Sequence, residues 1–178
     1  MNLYILRHAS AGVRRNNPLL DVKRPLDKDG KRHCLHLAHV LSAMRIGFDL
    51  IISSPLKRSL QTASFVGNET GYESRILKSK ALEPQATLED FNRLLQECSH
   101  CENLLVVGHN PNLTLFLSSI LVPPSATAGP QIRLRKGSMA RVSLNQSVGT
   151  LTWLLDPRTV RALYATSMKS SRRKTSRK

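Results

Sequence analysis

Three short aliphatic runs, Leu3–Leu6, Asp49–Ser53 and Leu104–Val107, each break off into polar residues, and helical patterning follows each of them. Runs of this length without alternation are expected of strands buried on both faces. The repeated order of strand, polar turn and helix predicts an α/β domain with a mostly parallel sheet. In such sheets ligands bind beyond the carboxyl ends of the strands. Polar pairs stand at those ends here: Arg7-His8, Ser53-Ser54 and Gly108-His109.

The intervening segments fit this order. Residues 13–26 are polar and read as a loop. Asp27 is placed to cap a helix, with Asp29 in its first turn. Leu35, Ala38, Leu41 and Met44, with Leu37 beside them, carry that helix to about Arg45, and Gly47 is expected to end it. Pro55 suits the first turn of a second helix over 56–67. Residues 87–98 predict a third helix, and Pro111 opens a fourth that reaches about Leu121. The segment from Pro123 to Pro130 reads as a loop. Met139–Leu144 and Thr150–Leu155 read as a closing hairpin.

The length, 178 residues, fits one domain, and 40% hydrophobic content supports a core. No apolar run is long enough to span a membrane. The start, MNLYILRHAS, lacks the basic leader and cleavage site of a signal peptide, so a cytoplasmic location is expected. Three cysteines make no disulfide framework. The net charge is +15, and residues 167–178 hold six Lys/Arg and no acid. Residues 1–165 are therefore expected to form the domain, and 166–178 a basic, unstructured tail.

The chemistry sits at the strand ends. Neutral imidazole is a nucleophile near pH 7, which makes His8 a candidate. Arg58, one turn into a helix that begins at a strand end, is suited to a forked contact with phosphate oxygens. His109 and Asn110 lie between a strand and a proline-started helix. Each feature alone has an ordinary reading, as a turn histidine or an exposed arginine. Two histidines and two arginines converging from separate strand ends do not.

Arg7-His8, Ser54-Pro55-x-x-Arg58 and Gly108-His109, in this order and spacing, resemble the histidine phosphatase superfamily. Arg24-Pro25-Leu26-x-x-x-Gly30, Gly-His-x-Pro at 108–111 and the short chain resemble its SixA-type phosphohistidine phosphatases. The resemblance implies a phosphoglycerate mutase-like fold, a three-layer α/β/α sandwich with a mostly parallel central sheet. It implies a phosphatase needing no metal or other cofactor, in which His8 attacks phosphorus. Arg7, Arg58 and His109 would stabilise the transferring group, with His109 protonated or at least donating, and Arg24 and Asn110 would add substrate contacts. The second nitrogen of His8 is expected to donate to a backbone carbonyl. Glu83 falls near the position of the family's general acid. A phosphohistidine substrate, which leaves as imidazole, can dispense with that acid.

The expected partner is a phosphorylated protein or a small phosphomonoester, met by a monomer. A sugar-phosphate phosphatase or a mutase of the same superfamily, and a phosphate-binding module without catalysis, are the alternatives. Nucleic acid is not the expected partner, because few aromatics are present for stacking. Cys98-x-x-Cys101 has no second cysteine pair and reads as two ordinary thiols. His33, His36 and His39 read as a solvated helix face.

Overall fold

The computed structural model describes residues 1–145 and 148–175. In chain order it contains β1 (Asn2–Arg7), α1 (Pro18–Val22), α2 (Lys28–Ala43), β2 (Leu50–Ser53), α3 (Lys57–Glu69) and β3 (Leu77–Lys78). A 3₁₀ turn (Lys80–Leu82) precedes α4 (Leu88–Glu97), β4 (Asn103–Gly108), α5 (Asn112–Ile120), β5 (Met139–Asn145), β6 (Val148–Leu155) and α6 (Pro157–Thr175). The six-stranded sheet runs β3-β2-β4-β1-β5-β6. The first four strands are parallel, and β5 and β6 add antiparallel to one edge.

Both faces of the sheet are covered, which is why the central strands lack a polar side. Leu3, Ile5, Ile52, Leu104 and Val106 pack against Phe91 and Leu94 of α4 and Leu113, Phe116 and Leu117 of α5. Their neighbours Tyr4, Leu6, Ile51, Leu105 and Val107 pack against Leu37 and Leu41 of α2, Ala63 and Val66 of α3 and Val160 of α6. This is the expected three-layer α/β/α sandwich with a mostly parallel sheet. Its register fixes the site: Arg7 pairs with Gly108, and Ser53 with Val107, so three strand ends finish side by side.

Some element boundaries differ from the sequence reading. Asp27 caps α2 by accepting from the Gly30 amide at 2.7 Å. The helix ends at Ala43, and Arg45, not Gly47, takes the left-handed backbone (φ 56°) in the turn that follows. Pro55 lies before the cap of α3, which is Leu56, rather than within its first turn. Residues 13–26 are not all loop, since α1 forms where the Asn17 side chain accepts from the Leu19 amide and proline follows at the first helical position.

The unstructured tail expected from residue 166 does not describe 166–175, which continue α6. Packing on α2 extends this helix. Tyr164 stacks on His36 with ring centroids 4.0 Å apart and meets His39 edge-on at 5.1 Å, and His39 Nε2 pairs with the Ser167 hydroxyl at 3.0 Å. The histidine face of α2 is therefore an interhelix contact rather than a solvated surface. Residues 176–178 of the expected tail lie outside the described residues. No described helix is long and apolar enough to cross a membrane.

Candidate active site

A cavity of about 850 Å³ opens at the carboxyl ends of β1, β2 and β4. Arg7, His8, Arg24, Arg58, Glu83, His109 and Asn110 all line it, so the structure brings every site residue expected from sequence into one place.

His8 follows β1 directly and is 6% exposed. Its amide donates to the Gly108 carbonyl at 3.0 Å, tying it to the neighbouring strand end. Its Nδ1 lies 2.7 Å from the Ala9 carbonyl oxygen. A carbonyl only accepts, so Nδ1 carries the proton and Nε2 keeps its lone pair. Burial pushes the ring pKa down to about 3, aided by the charges of Arg58, Arg7 and Lys136, while the Ala9 bond acts the other way. The ring is neutral across the physiological range.

The segment after His8 is clamped. The Ala9 amide donates to Thr62 Oγ1 on α3 at 3.1 Å. Asp27 accepts from the Ser10 hydroxyl at 2.6 Å and the Gly12 amide at 2.8 Å. Gly30 is required in this clamp, because a Cβ there would stand 2.0 Å from the Ser10 carbonyl oxygen. This contact gives the glycine of Arg-Pro-Leu-x-x-x-Gly its physical reason.

His109 follows β4 and is 3% exposed, its ring centroid 4.9 Å from that of His8. Its Nε2 meets the hydroxyls of Ser54 at 2.9 Å and Ser59 at 3.2 Å. Burial lowers its pKa to about 2, with His8, Arg58 and Arg7 adding. The ring is therefore neutral in this state, which leaves hydrogen-bond donation, not positive charge, as its contribution.

The arginines approach from two sides. Arg7 Nη1 donates to the Leu134 carbonyl at 2.8 Å, and Asn110 Nδ2 donates to the same oxygen at 3.1 Å. Arg58, 5% exposed, donates from Nη1 to the Asp21 main-chain carbonyl at 3.0 Å and to Asp21 Oδ2 at 3.3 Å. The Nε groups of Arg7 and Arg58 are buried and have no acceptor among the described residues. Buried donors of this kind ordinarily have partners, so these two suit an anion seated between them. Arg24 donates to Asp21 Oδ1 at 2.8 Å and to the Ala11 carbonyl at 2.8 Å. Glu83 stands half-buried on the wall after the 3₁₀ turn, its carbonyl held by Asn112 Nδ2 at 3.1 Å.

Sequence reasoning missed Asp21, Ser59 and Thr62. Burial alone would raise the Asp21 pKa, but hydrogen bonds from the Arg15 amide and Arg24, with the charges of Arg24 and Arg58, hold it below the usual range. The available signals were Asn17-Pro18, a cap followed by a first-turn proline, and the three-residue spacing of Asp21 and Arg24. Ser59 and Thr62 share a helical face with the apolar Ala63 and Val66, a pattern that marks buried hydroxyls with partners to find.

The chain is similar in sequence or in fold to several known proteins. An uncharacterized protein of Picosynechococcus sp. is 29% identical over 142 residues, covering 78% of this chain and 82% of its own. The protein histidine phosphatase SixA, solved with tungstate, superposes with a TM-score of 0.78 at 23% identity, covering 90% of this chain and 99% of that one. The alpha-ribazole phosphatase of Shigella flexneri superposes at 0.70 with 18% identity, covering 88% and 97%. Residues 3–83 match the family described as histidine phosphatase superfamily (branch 1), and the fold is the one these solved phosphatases have.

Proposed function

We propose that this protein is a phosphatase that hydrolyses phosphohistidine in proteins through a covalent phosphohistidine on His8. One observation carries the reading: His8 is fixed in the Nδ1–H tautomer by Ala9 and stays neutral beside two arginines with buried, unpartnered Nε donors. The Nε2 lone pair attacks phosphorus as the phosphorus–nitrogen bond of the substrate breaks, and the substrate ring, already protonated at its other nitrogen, leaves as neutral imidazole. Water then attacks the phosphoenzyme, the His8 Nε2–phosphorus bond breaks, and inorganic phosphate leaves with His8 regenerated. Arg7 and Arg58 balance the charge of the transferring oxygens. His109, its Nε2 in hydrogen-bond contact with the hydroxyls of Ser54 and Ser59, stands beside His8 to donate a ring N–H to a phosphoryl oxygen.

A second reading, a small phosphomonoester phosphatase, is favoured by Glu83 on the cavity wall, since an alkoxide leaving group needs an acid. The two are compared by supplying a histidine-phosphorylated protein and, separately, 4-nitrophenyl phosphate, both in EDTA, with His8→Ala alongside. Phosphate release by wild type, a phosphoenzyme on acid quench, and a loss of about 10⁴-fold or more in His8→Ala are expected. Release that survives His8→Ala would rule out the covalent histidine.

A further inference from the structure

We infer that residues 13–22, with Lys136 opposite, form a docking surface for the phosphorylated protein, and that this surface selects substrates with acidic residues flanking the phosphorylated one. The inference rests on the phosphatase reading for its substrate, but its geometry is separate from the catalytic groups.

The segment carries more exposed apolar surface than a solvated loop needs. Val13 is 88% exposed, Leu19 76%, Leu20 50% and Val22 47%, and α1 buries no residue at all. Apolar side chains gathered among charges mark interaction surfaces. They serve little purpose for a small phosphate ester, which would lie deeper, beside His8. A protein surface reaches both.

Charge sets the chemistry of that partner. Arg14, Arg15 and Lys136 line the cavity mouth and are exposed. None of the three forms a salt bridge among the described residues. The one acid of the segment, Asp21, is turned inward onto Arg24 and Arg58, so it does not offset the outer cations. A rim with this balance attracts carboxylates beside the phosphoryl group and repels basic flanks.

The test uses two fluorescent peptides carrying the same non-hydrolysable phosphohistidine analogue, one flanked by Asp and Glu, the other by Asn and Gln. Binding is followed by anisotropy with full-length protein. Wild type is expected to prefer the acidic peptide by about fivefold at low salt, with the preference lost at high salt. Arg14→Ala/Arg15→Ala should abolish the preference, and Leu19→Ser/Leu20→Ser should weaken both peptides equally. Equal binding of the two peptides by wild type, or a preference that survives the arginine variant, overturns the proposal. Turnover of 4-nitrophenyl phosphate, which has no flanks, is expected to stay within about twofold in the arginine variant. Absence of phosphate release by wild type from both 4-nitrophenyl phosphate and a histidine-phosphorylated protein, with peptide discrimination intact, would overturn the catalytic reading and leave the docking surface standing.

Discussion

Asp21 and Arg58 form a salt bridge on the cavity wall, Oδ2 standing 3.3 Å from Nη1, while Arg24 holds the other carboxylate oxygen at 2.8 Å. One carboxylate thus offsets part of the charge of two arginines that face the site. A phosphate entering beside Arg58 works against that carboxylate. Asp21→Asn keeps an acceptor for Arg24 and removes the charge. Competitive inhibition by inorganic phosphate should tighten by about threefold, the size expected of a partly screened charge contact. Weaker phosphate binding in the variant would mean that Asp21 serves to orient the arginines, and the competition argument would fail.

The pKa of His8, pushed to about 3 by burial and aided by neighbouring cations, makes stability depend on pH in a defined direction. Between about pH 6.5 and 3 the unfolded chain binds a proton on this ring that the folded chain does not. Unfolding therefore takes up protons, and stability falls as pH falls through this window. For His8 alone the loss is roughly 2 kcal/mol at pH 5. His109, lowered to about 2, acts in the same sense. Thermal midpoints measured from pH 7.5 to 5 in phosphate-free buffer should fall for wild type and fall less steeply for His8→Asn and His109→Asn. Parallel slopes in all three proteins would sink this account.

Much of this site was legible because the chemistry sits at strand ends, and strand ends are marked in sequence. Leu3–Leu6 and Leu104–Val107 announce buried strands, and the polar residues after them fall where a parallel sheet places ligands. What stayed hidden depends on contacts that no local pattern encodes. Leu77–Lys78 is a strand only because it pairs with Ile52 and Ser53. The helix through Thr166 and Ser167 gains its packing from His36 and His39, far away in sequence. The Leu134 carbonyl, which holds Arg7 and Asn110, is a backbone atom that no residue type announces.

Glu83 offers a way to separate leaving groups. Its backbone is held by Asn112, its side chain makes no hydrogen bond among the described residues, and it lines the same cavity as His8. An acid is needed when an alkoxide departs and not when imidazole departs. Glu83→Gln should leave turnover of a phosphohistidine peptide within about threefold while lowering kcat for an alkyl phosphate by about tenfold or more. Equal losses on both substrates would show that Glu83 positions the site instead of donating a proton.

Gly137 is where backbone geometry and the nucleophile meet. Its amide donates to both the Arg7 carbonyl at 3.0 Å and the His8 carbonyl at 3.1 Å, so it holds the strand end that aims the imidazole. Its φ is +82°, and a Cβ would stand 2.3 Å from Cδ2 of His33, whose Nε2 lies 2.8 Å from the Gly137 carbonyl oxygen. Gly137→Ala therefore meets left-handed strain of about 1–2 kcal/mol and a clash against a packed ring that adds a similar amount. Gly71 separates the two effects. It also has positive φ, at +77°, but nothing lies within 4 Å of its Cβ position. Gly71→Ala should lower stability by the strain alone and leave kcat unchanged. Gly137→Ala should lose more stability and about tenfold in kcat, since the clash is relieved only by moving His33 or the turn that holds Arg7 and His8. Denaturant titration beside steady-state kinetics checks both. If the two variants lose the same stability and neither changes kcat, His33 yields freely and this turn does not position the nucleophile.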